Sequence, residues 1–313
     1  MELIKLENME ILDIDNSSDC SIFKNTILTI GAFDGVHLAH KSIIDIMNQE
    51  KIKKNMKSAV MTFDPHPDFI LNKRCDAGYI TPISKKIELF KELKVDYLII
   101  INFNLKTANM SYIDFYNKFL SNFAYYVIGY DFSFGYKALG KASFLKEKKK
   151  DTIIVSEIDY SNEKLSSSLV RDLLSKGNVK EVIRVLGRPY EIEGTVTTGA
   201  HIGSSLGFPT ANIDLDNSYM DILDGVYFVR AYYKDNKYYG ICNIGHNPSI
   251  NYVKNKRLEV NLFDFNLNIY GELLKIEFLD YIRSEIKFEN KEDLIKQISK
   301  DKEKVMKLIK ELG

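Results

Sequence analysis

Cysteine is scarce: the 313 residues hold three, Cys20, Cys75 and Cys242, widely spaced and with no Cys-x-x-Cys. Neither a disulfide framework nor a cysteine zinc site is indicated. An excess of charge of either sign is also missing, since Lys plus Arg and Asp plus Glu both total 43. Whole-chain electrostatics therefore give no argument for nucleic acid or an anionic membrane as partner. Apolar runs such as Tyr97 to Ile101 are far too short to cross a bilayer. The first residues carry acidic groups, Glu2 and Glu7, and no apolar core, so they do not read as a secretory signal. With 45% hydrophobic and 27% charged residues, the chain has the composition of a globular cytoplasmic enzyme and the length for two domains.

Up to about residue 155 strand-like and helix-like segments alternate. Ile27–Ile30, Ser58–Phe63, Tyr97–Ile101 and Tyr125–Ile128 read as strands. His40 to Lys53, Ser84 to Lys94 with Ser84 as N-cap, and Ser111 to Asn122 read as helices. This rhythm predicts a parallel sheet with helices on both faces, and in such sheets ligands sit beyond the carboxyl ends of the strands. Gly31-Ala32-Phe33-Asp34-Gly35-Val36-His37-Leu38-Ala39-His40 falls at such an end. His37 and His40, at i and i+3 of a first helical turn, lie on one face. The helix N-terminus beside them suits a phosphate. Thr62-Phe63-Asp64-Pro65-His66-Pro67 and Gly129-Tyr130-Asp131-Phe132-Ser133-Phe134-Gly135 also follow strands. Ser166, Ser167 and Ser168 can cap a helix that carries Arg171 on its surface. The lysines of 146–150 read as a solvated loop.

Gly187-Arg188-Pro189 breaks the helical pattern, and the domain boundary is expected near residue 185. Beyond it strands follow one another: Tyr190–Val196, Val226–Tyr233, Lys237–Ile244, Arg257–Asp264 and Leu273–Leu279. They predict an antiparallel barrel or sandwich, closed by a helix from Lys291 to Leu312. From the end of the first strand onward, Gly194, Gly199, Gly203 and Gly207 precede Pro209, Thr210 and Asn212. Glycines allow close backbone approach to a ligand, and a hydroxyl with an amide oxygen offers hard donors of the kind Mg²⁺ takes beside substrate phosphates. The stretch reads as a nucleotide–metal site. On Arg257–Asp264 the period of two sets Leu258, Val260 and Leu262 against Glu259, Asn261 and Phe263. Glu259 is thereby a candidate general base.

Leu206-Gly207-Phe208-Pro209-Thr210-Ala211-Asn212 resembles the signature of riboflavin kinases, and Glu259 falls on that family's Glu-x-His-x-x-Asp-Phe pattern with Asn261 in place of histidine. Asn243-Ile244-Gly245 with Asn247-Pro248-Ser249, and Ile282-Arg283 to Phe288, resemble further kinase motifs. The Gly31–His40 stretch resembles the Gly-x-Phe-Asp-Gly-x-His-x-Gly-His motif of the nucleotidylyltransferase superfamily, with Ala39 where that motif has glycine. Ser133 stands where the flavin-specific members carry arginine. Together these make the chain similar to the bifunctional bacterial riboflavin kinase/FAD synthetase family.

The resemblance implies a Rossmann-like α/β nucleotidylyltransferase domain over 1–185 and a C-terminal antiparallel β-barrel with a terminal helix, the riboflavin kinase, over 186–313. It implies phosphorylation of riboflavin to FMN and adenylylation of FMN to FAD, with ATP as co-substrate. Glu259, His37 and His40 would be catalytic, and Thr210 and Asn212 would hold Mg²⁺. Gly31, Phe33, Asp34, Gly35, Asp131, Ser167, Ser168, Arg171, Pro209 and the four glycines from 194 to 207 would bind nucleotide. Two alternatives are a kinase whose adenylyltransferase half is impaired at Ala39 and Ser133, and a flavin-binding regulator without turnover.

Overall fold

The computed structural model describes residues 2–6, 9–14, 23–73, 78–148, 151–161, 163–198, 208–214, 218–246 and 256–312. Packing divides the chain into two compact units, Met1–Ser167 and Ser168–Gly313.

The first unit is built on seven strands: β1 (Glu2–Leu6), β2 (Met9–Ile14), β3 (Thr26–Ile30), β4 (Lys57–Asp64), β5 (Tyr97–Asn102), β6 (Tyr125–Gly129) and β7 (Thr152–Val155). They lie in the order β1-β2-β5-β4-β3-β6-β7. All neighbours are parallel except β1 and β2, which form an antiparallel edge. Successive residues of each strand enter opposite cores. Leu28, Met61, Ile99 and Tyr126 join one cluster, while Ile27, Val60, Leu98 and Val127 join the other. Both sheet faces are therefore covered, as the continuous aliphatic strands predict.

The helices differ in detail from the expectation. Helix α1 runs from Leu38 to Lys54 and starts directly after His37. Helix α2, Ile83–Glu92, has Pro82 and not Ser84 at its N-cap. Ser111 does cap a helical turn, Tyr112–Phe115, but the next turn, Tyr116–Leu120, widens to π-helical spacing. Residues 142–148 are helical rather than a loop.

The second unit begins with two short helices, α3 (Ser167–Ser175) and α4 (Val179–Leu186). A closed barrel follows, made of β8 (Tyr190–Thr197), β9 (Ala211–Asp214), β10 (Gly225–Tyr233), β11 (Asn236–His246), β12 (Lys256–Leu262) and β13 (Leu273–Arg283). Its order is β8-β9-β12-β11-β10-β13, antiparallel throughout. The terminal helix α5, Lys291–Leu312, packs Val305 against Val226, Phe228, Phe263 and Ile282. Asp301 on α5 ties it down, accepting from Arg283 Nε at 2.9 Å and lying 2.8 Å from Arg283 Nη2.

Helix α4 packs on β8 and β13 and buries Val179, Val182, Val185 and Leu186. Removing those four side chains from water contributes roughly 6–12 kcal/mol at about 1.5–3 kcal/mol each, which rivals the whole stability of a domain. A fragment cut at the expected boundary, 186–313, keeps Leu186 but loses the other three, and is therefore expected to melt far below Ser168–Gly313 or to be recovered unfolded. Thermal unfolding of the two fragments checks this, and equal melting temperatures would remove α4 from the barrel's fold.

Candidate active sites

Going outward from β3, the chain first adds β4 and β5 on one side and then β6 on the other, so the strand order reverses there. The loop after β3 carries Gly31 to His37, and left-handed backbone recurs along it: Phe33 at φ 48°, Gly35 at 92° and Val36 at 41°. Glycine adopts such angles freely, whereas a β-branched valine there is strained. Strain of that kind persists only where the surroundings over-determine the backbone, and they do. Phe33 and Val36 are core residues. The buried Asp34 carboxylate accepts the N–H groups of Ile80 at 2.9 Å and Thr81 at 3.2 Å. The Ala32 carbonyl accepts Lys86 Nζ at 2.7 Å and the Thr62 hydroxyl at 3.1 Å. The Asp34 carbonyl accepts the Ser167 hydroxyl at 2.7 Å, so Ser167 ties the loop rather than capping α3. Phe33 and Asp34 thus turn their side chains inward, and what they offer a ligand is backbone.

His37 occupies the N-cap of α1 in extended conformation and is buried. The i, i+3 spacing brings its ring onto that of His40, with centroids 3.6 Å apart and planes 19° from parallel. Phe33 meets the His40 ring edge-on at 5.0 Å. Ala39 is the second residue of α1, half-buried, and has no left-handed φ.

Beyond the ends of β3 to β6 lies a cavity of about 670 Å³ lined by Gly31, Ala32, Phe63, His66, Phe103, Asp131, Phe132, Ser133 and Phe134. Phe63, Phe103, Phe115, Phe132, Phe134 and Tyr136 give part of its wall aromatic faces, which suit a flat apolar ring system, and Lys73 and Lys137 add cations. His66 Nδ1 accepts from the Asp68 N–H at 3.1 Å, which leaves the proton on Nε2. Asp64 Oδ1 accepts from the Tyr79 hydroxyl at 2.9 Å, and that hydroxyl accepts from His66 N–H at 3.1 Å. Burial pushes the Tyr79 hydroxyl pKa up, so it remains a donor. Asp131 is exposed and pairs with Lys164 at 2.6 Å. Ser133 sits in a two-residue ribbon opposite Lys141. Ser168 and Arg171 fall in the second unit, where Arg171 Nη1 lies 3.8 Å from Met220 Sδ.

In the barrel, the pairing register sets Glu259 on β12 directly between Asn212 on β9 and Asn243 on β11. Leu258, Val260 and Leu262 are buried while Glu259 and Asn261 remain half-exposed, the alternation the sequence predicts. Phe263 is the exception: it is buried against α5. Directly opposed residues on neighbouring strands hold their Cβ atoms about 4.5–5.5 Å apart, so one carboxylate is flanked by two amides. Thr210 immediately precedes β9, two residues before Asn212. Asn261 donates from Nδ2 to the Pro209 carbonyl at 2.7 Å, pinning the segment that carries Thr210. Pro209 and Thr210 line a second cavity of about 420 Å³ with Val196, Val260, Phe265 and Tyr270. Gly194 is a close-approach glycine in the barrel wall, where a Cβ would strike the Asp214 carbonyl oxygen and Ile213. Gly199, Gly203 and Gly207, and the Asn247-Pro248-Ser249 motif, lie outside the described residues. Cys242 is fully buried, and burial pushes its thiol pKa well up, so it is no nucleophile.

Sequence reading missed Lys86, Tyr79, the bond from the Thr62 hydroxyl to Ala32 and the Asn261–Pro209 bond. One of them left a readable signal: Lys86 stands at i relative to Leu89 and Phe90 at i+3 and i+4, a charge on the apolar face of α2.

A loop of this kind at the reversal point of a parallel sheet, joined to a barrel bearing a flanked carboxylate, defines a two-domain nucleotide-dependent transferase. The chain belongs to the bifunctional riboflavin kinase/FMN adenylyltransferase family. The FAD synthetase family model matches residues 20–169 and the riboflavin kinase model residues 186–309. A bifunctional riboflavin kinase/FMN adenylyltransferase from Bacillus subtilis (strain 168) is 36% identical over 296 residues, spanning 92% of this chain and 93% of its own. One from Buchnera aphidicola subsp. Schizaphis graminum (strain Sg) is 37% identical, spanning 91% of this chain and 95% of its own. A solved structure described as a macrolide-efflux protein from Streptococcus pneumoniae superposes with a TM-score of 0.84 at 29% identity, over 93% of this chain and 98% of that one. Among the described residues here no helix is long and apolar enough to cross a membrane.

Proposed function

We infer that this chain phosphorylates riboflavin to FMN with one ATP and adenylylates FMN to FAD with a second, releasing pyrophosphate. The observation that carries the reading is that one chain holds both constellations, the stacked His37–His40 pair over a pinned loop and Glu259 in register with Asn212. In the first reaction the terminal ribityl hydroxyl attacks the γ-phosphorus, its proton passes to the Glu259 carboxylate, and ADP leaves. In the second an FMN phosphate oxygen, already anionic, attacks the α-phosphorus and displaces pyrophosphate. No proton has to be removed there, so positioning and charge stabilisation do the catalysis. His37, His40 and the backbone of Gly31 to Gly35 hold the ATP phosphates, and the aromatic cavity beside them takes the flavin. Both reactions draw on ATP, in keeping with a cytoplasmic enzyme.

The donors beside Glu259 fit Mg²⁺: the Thr210 hydroxyl and the Asn212 amide oxygen are hard ligands two residues apart on one segment. Mg²⁺ takes few protein ligands when nucleotide phosphates and water complete its shell. When bound it neutralises charge on the transferring phosphates. Asn261 keeps Thr210 in place through the Pro209 carbonyl.

Incubation of the full chain with riboflavin, ATP and Mg²⁺, followed by chromatographic separation, is expected to give FMN and then FAD. FMN alone would leave a kinase with an idle first unit, and neither product would leave a flavin-binding regulator. Ala39 stands at a helical position with ordinary φ, which has no need of glycine, so the second step is expected to survive it. Ala39→Gly is expected to leave FAD synthesis from FMN unchanged or raise it, while α1 loses about 1 kcal/mol of helix propensity. A tenfold fall in FAD synthesis would show that the Ala39 methyl is itself needed.

A further inference from the structure

A lysine inside a hydrophobic core is costly unless its ammonium is bonded or paired. Lys86 is only 1% exposed and sits on the core face of α2 beside Leu89 and Phe90. Methionine or leucine would fill the same space without that cost. What the amine reaches is the phosphate loop. Its Nζ lies 2.7 Å from the Ala32 carbonyl oxygen, which also accepts the Thr62 hydroxyl at 3.1 Å. Two donors saturate the two lone pairs of that oxygen, and so fix the rotation of the peptide plane as well as the place of one atom. The Ala32–Phe33 peptide is trans. A planar trans peptide sets its N–H opposite its carbonyl, so the Phe33 N–H is directed away from Lys86 and Thr62. Phe33 is also where the loop enters left-handed backbone, at φ 48°, and Gly31 and Ala32 line the large cavity.

We propose that Lys86, with Thr62, is a positioning residue of adenylyl transfer, holding the Ala32 carbonyl so that the Phe33 N–H is presented to the ATP phosphates. The assignment rests on the reading that this loop receives ATP. Lys86 is too deeply buried to touch substrate and acts through the peptide. Its charge is not spent on phosphate, because the Asp34 and Asp64 carboxylates face it. Those carboxylates partly offset the burial that pulls its pKa down. The Tyr79 ring lies under the ammonium at 5.7 Å and completes its surroundings.

The test uses the full chain, with riboflavin phosphorylation as an internal control in the other unit. Lys86→Met is expected to lower kcat for FAD formation by about 10²-fold, the scale of loss from a small misplacement at a reacting centre. Kinase turnover and FMN affinity, read by flavin fluorescence quenching, should stay within about twofold. Thr62→Val should lower the same kcat roughly tenfold and Thr62→Ser, which keeps the hydroxyl, should restore it. Because both residues act on one carbonyl, the double variant should fall short of the product of the single losses. A purely structural lysine would instead lower the melting temperature and leave kcat per folded enzyme unchanged, and that result overturns the proposal. Should Lys86→Met fail to fold, Thr62→Val decides: full adenylylation in that variant overturns the proposal equally. Wild-type chain that makes no FAD from FMN and ATP removes the functional reading and this inference with it. FAD synthesis by the wild type and by Lys86→Met at the same rate removes the inference alone.

Discussion

Glu259→Gln is expected to slow FMN formation by about 10²–10⁴-fold, the usual yield of a positioned general base, while FAD formation from supplied FMN is unchanged. The substitution is nearly isosteric and swaps a group that can take a proton for one that cannot. Leu258, Val260 and Leu262 on the same strand supply the buried face, and the Glu259 charge bears on the core through the Cys242 thiol, whose pKa it helps to raise. The neighbouring amides of Asn212 and Asn243 tolerate an amide between them, as each can donate or accept. Stability should therefore stay within about 0.5 kcal/mol, as for surface substitutions generally. Steady-state rates of riboflavin phosphorylation and of FMN adenylylation on the same preparation separate the two outcomes. Near-normal kinase turnover would remove Glu259 from the role of base and leave it as a strand residue beside the nucleotide.

The parallel sheet was legible because strand-like and helix-like segments alternate, and the barrel because short strands follow one another with only turns between them. Strand β9 was not, since Ala211-Asn212-Ile213-Asp214 is short and half made of residues with low β-propensity. It forms because β8 and β12 pair with it on either side. The edge hairpin of β1 and β2 was likewise hidden, its apolar positions interrupted by Glu, Lys and Asp. Among site residues, the His37–His40 pair and the Glu259 alternation follow from local periodicity, and both could be read directly. Asp34 could be named but its partners could not: Ile80 and Thr81 are 46 and 47 residues away. Lys86 is 54 residues from Ala32. Pairings of that separation leave no periodic trace, and only the buried charge on α2 hints at one.

Asn261 is a case where a departure from the family pattern acquires a physical role. Its amide holds the Pro209 carbonyl at 2.7 Å across the barrel wall, so the side chain in the histidine's place still fixes the Thr210 segment. Glu259, two residues back on the same strand face, and Asn212, two residues on from Thr210, are thereby kept in one frame. The site proposed for the kinase is thus assembled by register and one long-range hydrogen bond.

His37→Ala is expected to lower FAD formation from FMN and ATP by about 10²–10³-fold, the loss typical of removing one donor to charge that develops in a transition state. His37 stands at the N-cap of a helix of 17 residues, where first-turn N–H groups have no intrahelical acceptor and the dipole favours an anion. Its ring is held flat against His40 at 3.6 Å, and His40 in turn meets the Phe33 edge at 5.0 Å, so the pair is fixed before ATP arrives. Deleting His37 removes a donor and also the wall that orients His40. His40→Ala should therefore cost a comparable factor, and the double variant little more than either single one, since the two rings act as a unit. Riboflavin phosphorylation, assigned to the other unit, should be untouched in all three. FMN binding by fluorescence quenching should persist, because the aromatic cavity is built from β4 to β6 and the loops after them. Losses that multiply in the double variant would show that each histidine acts alone. Unchanged FAD synthesis in His37→Ala would take the pair out of catalysis altogether.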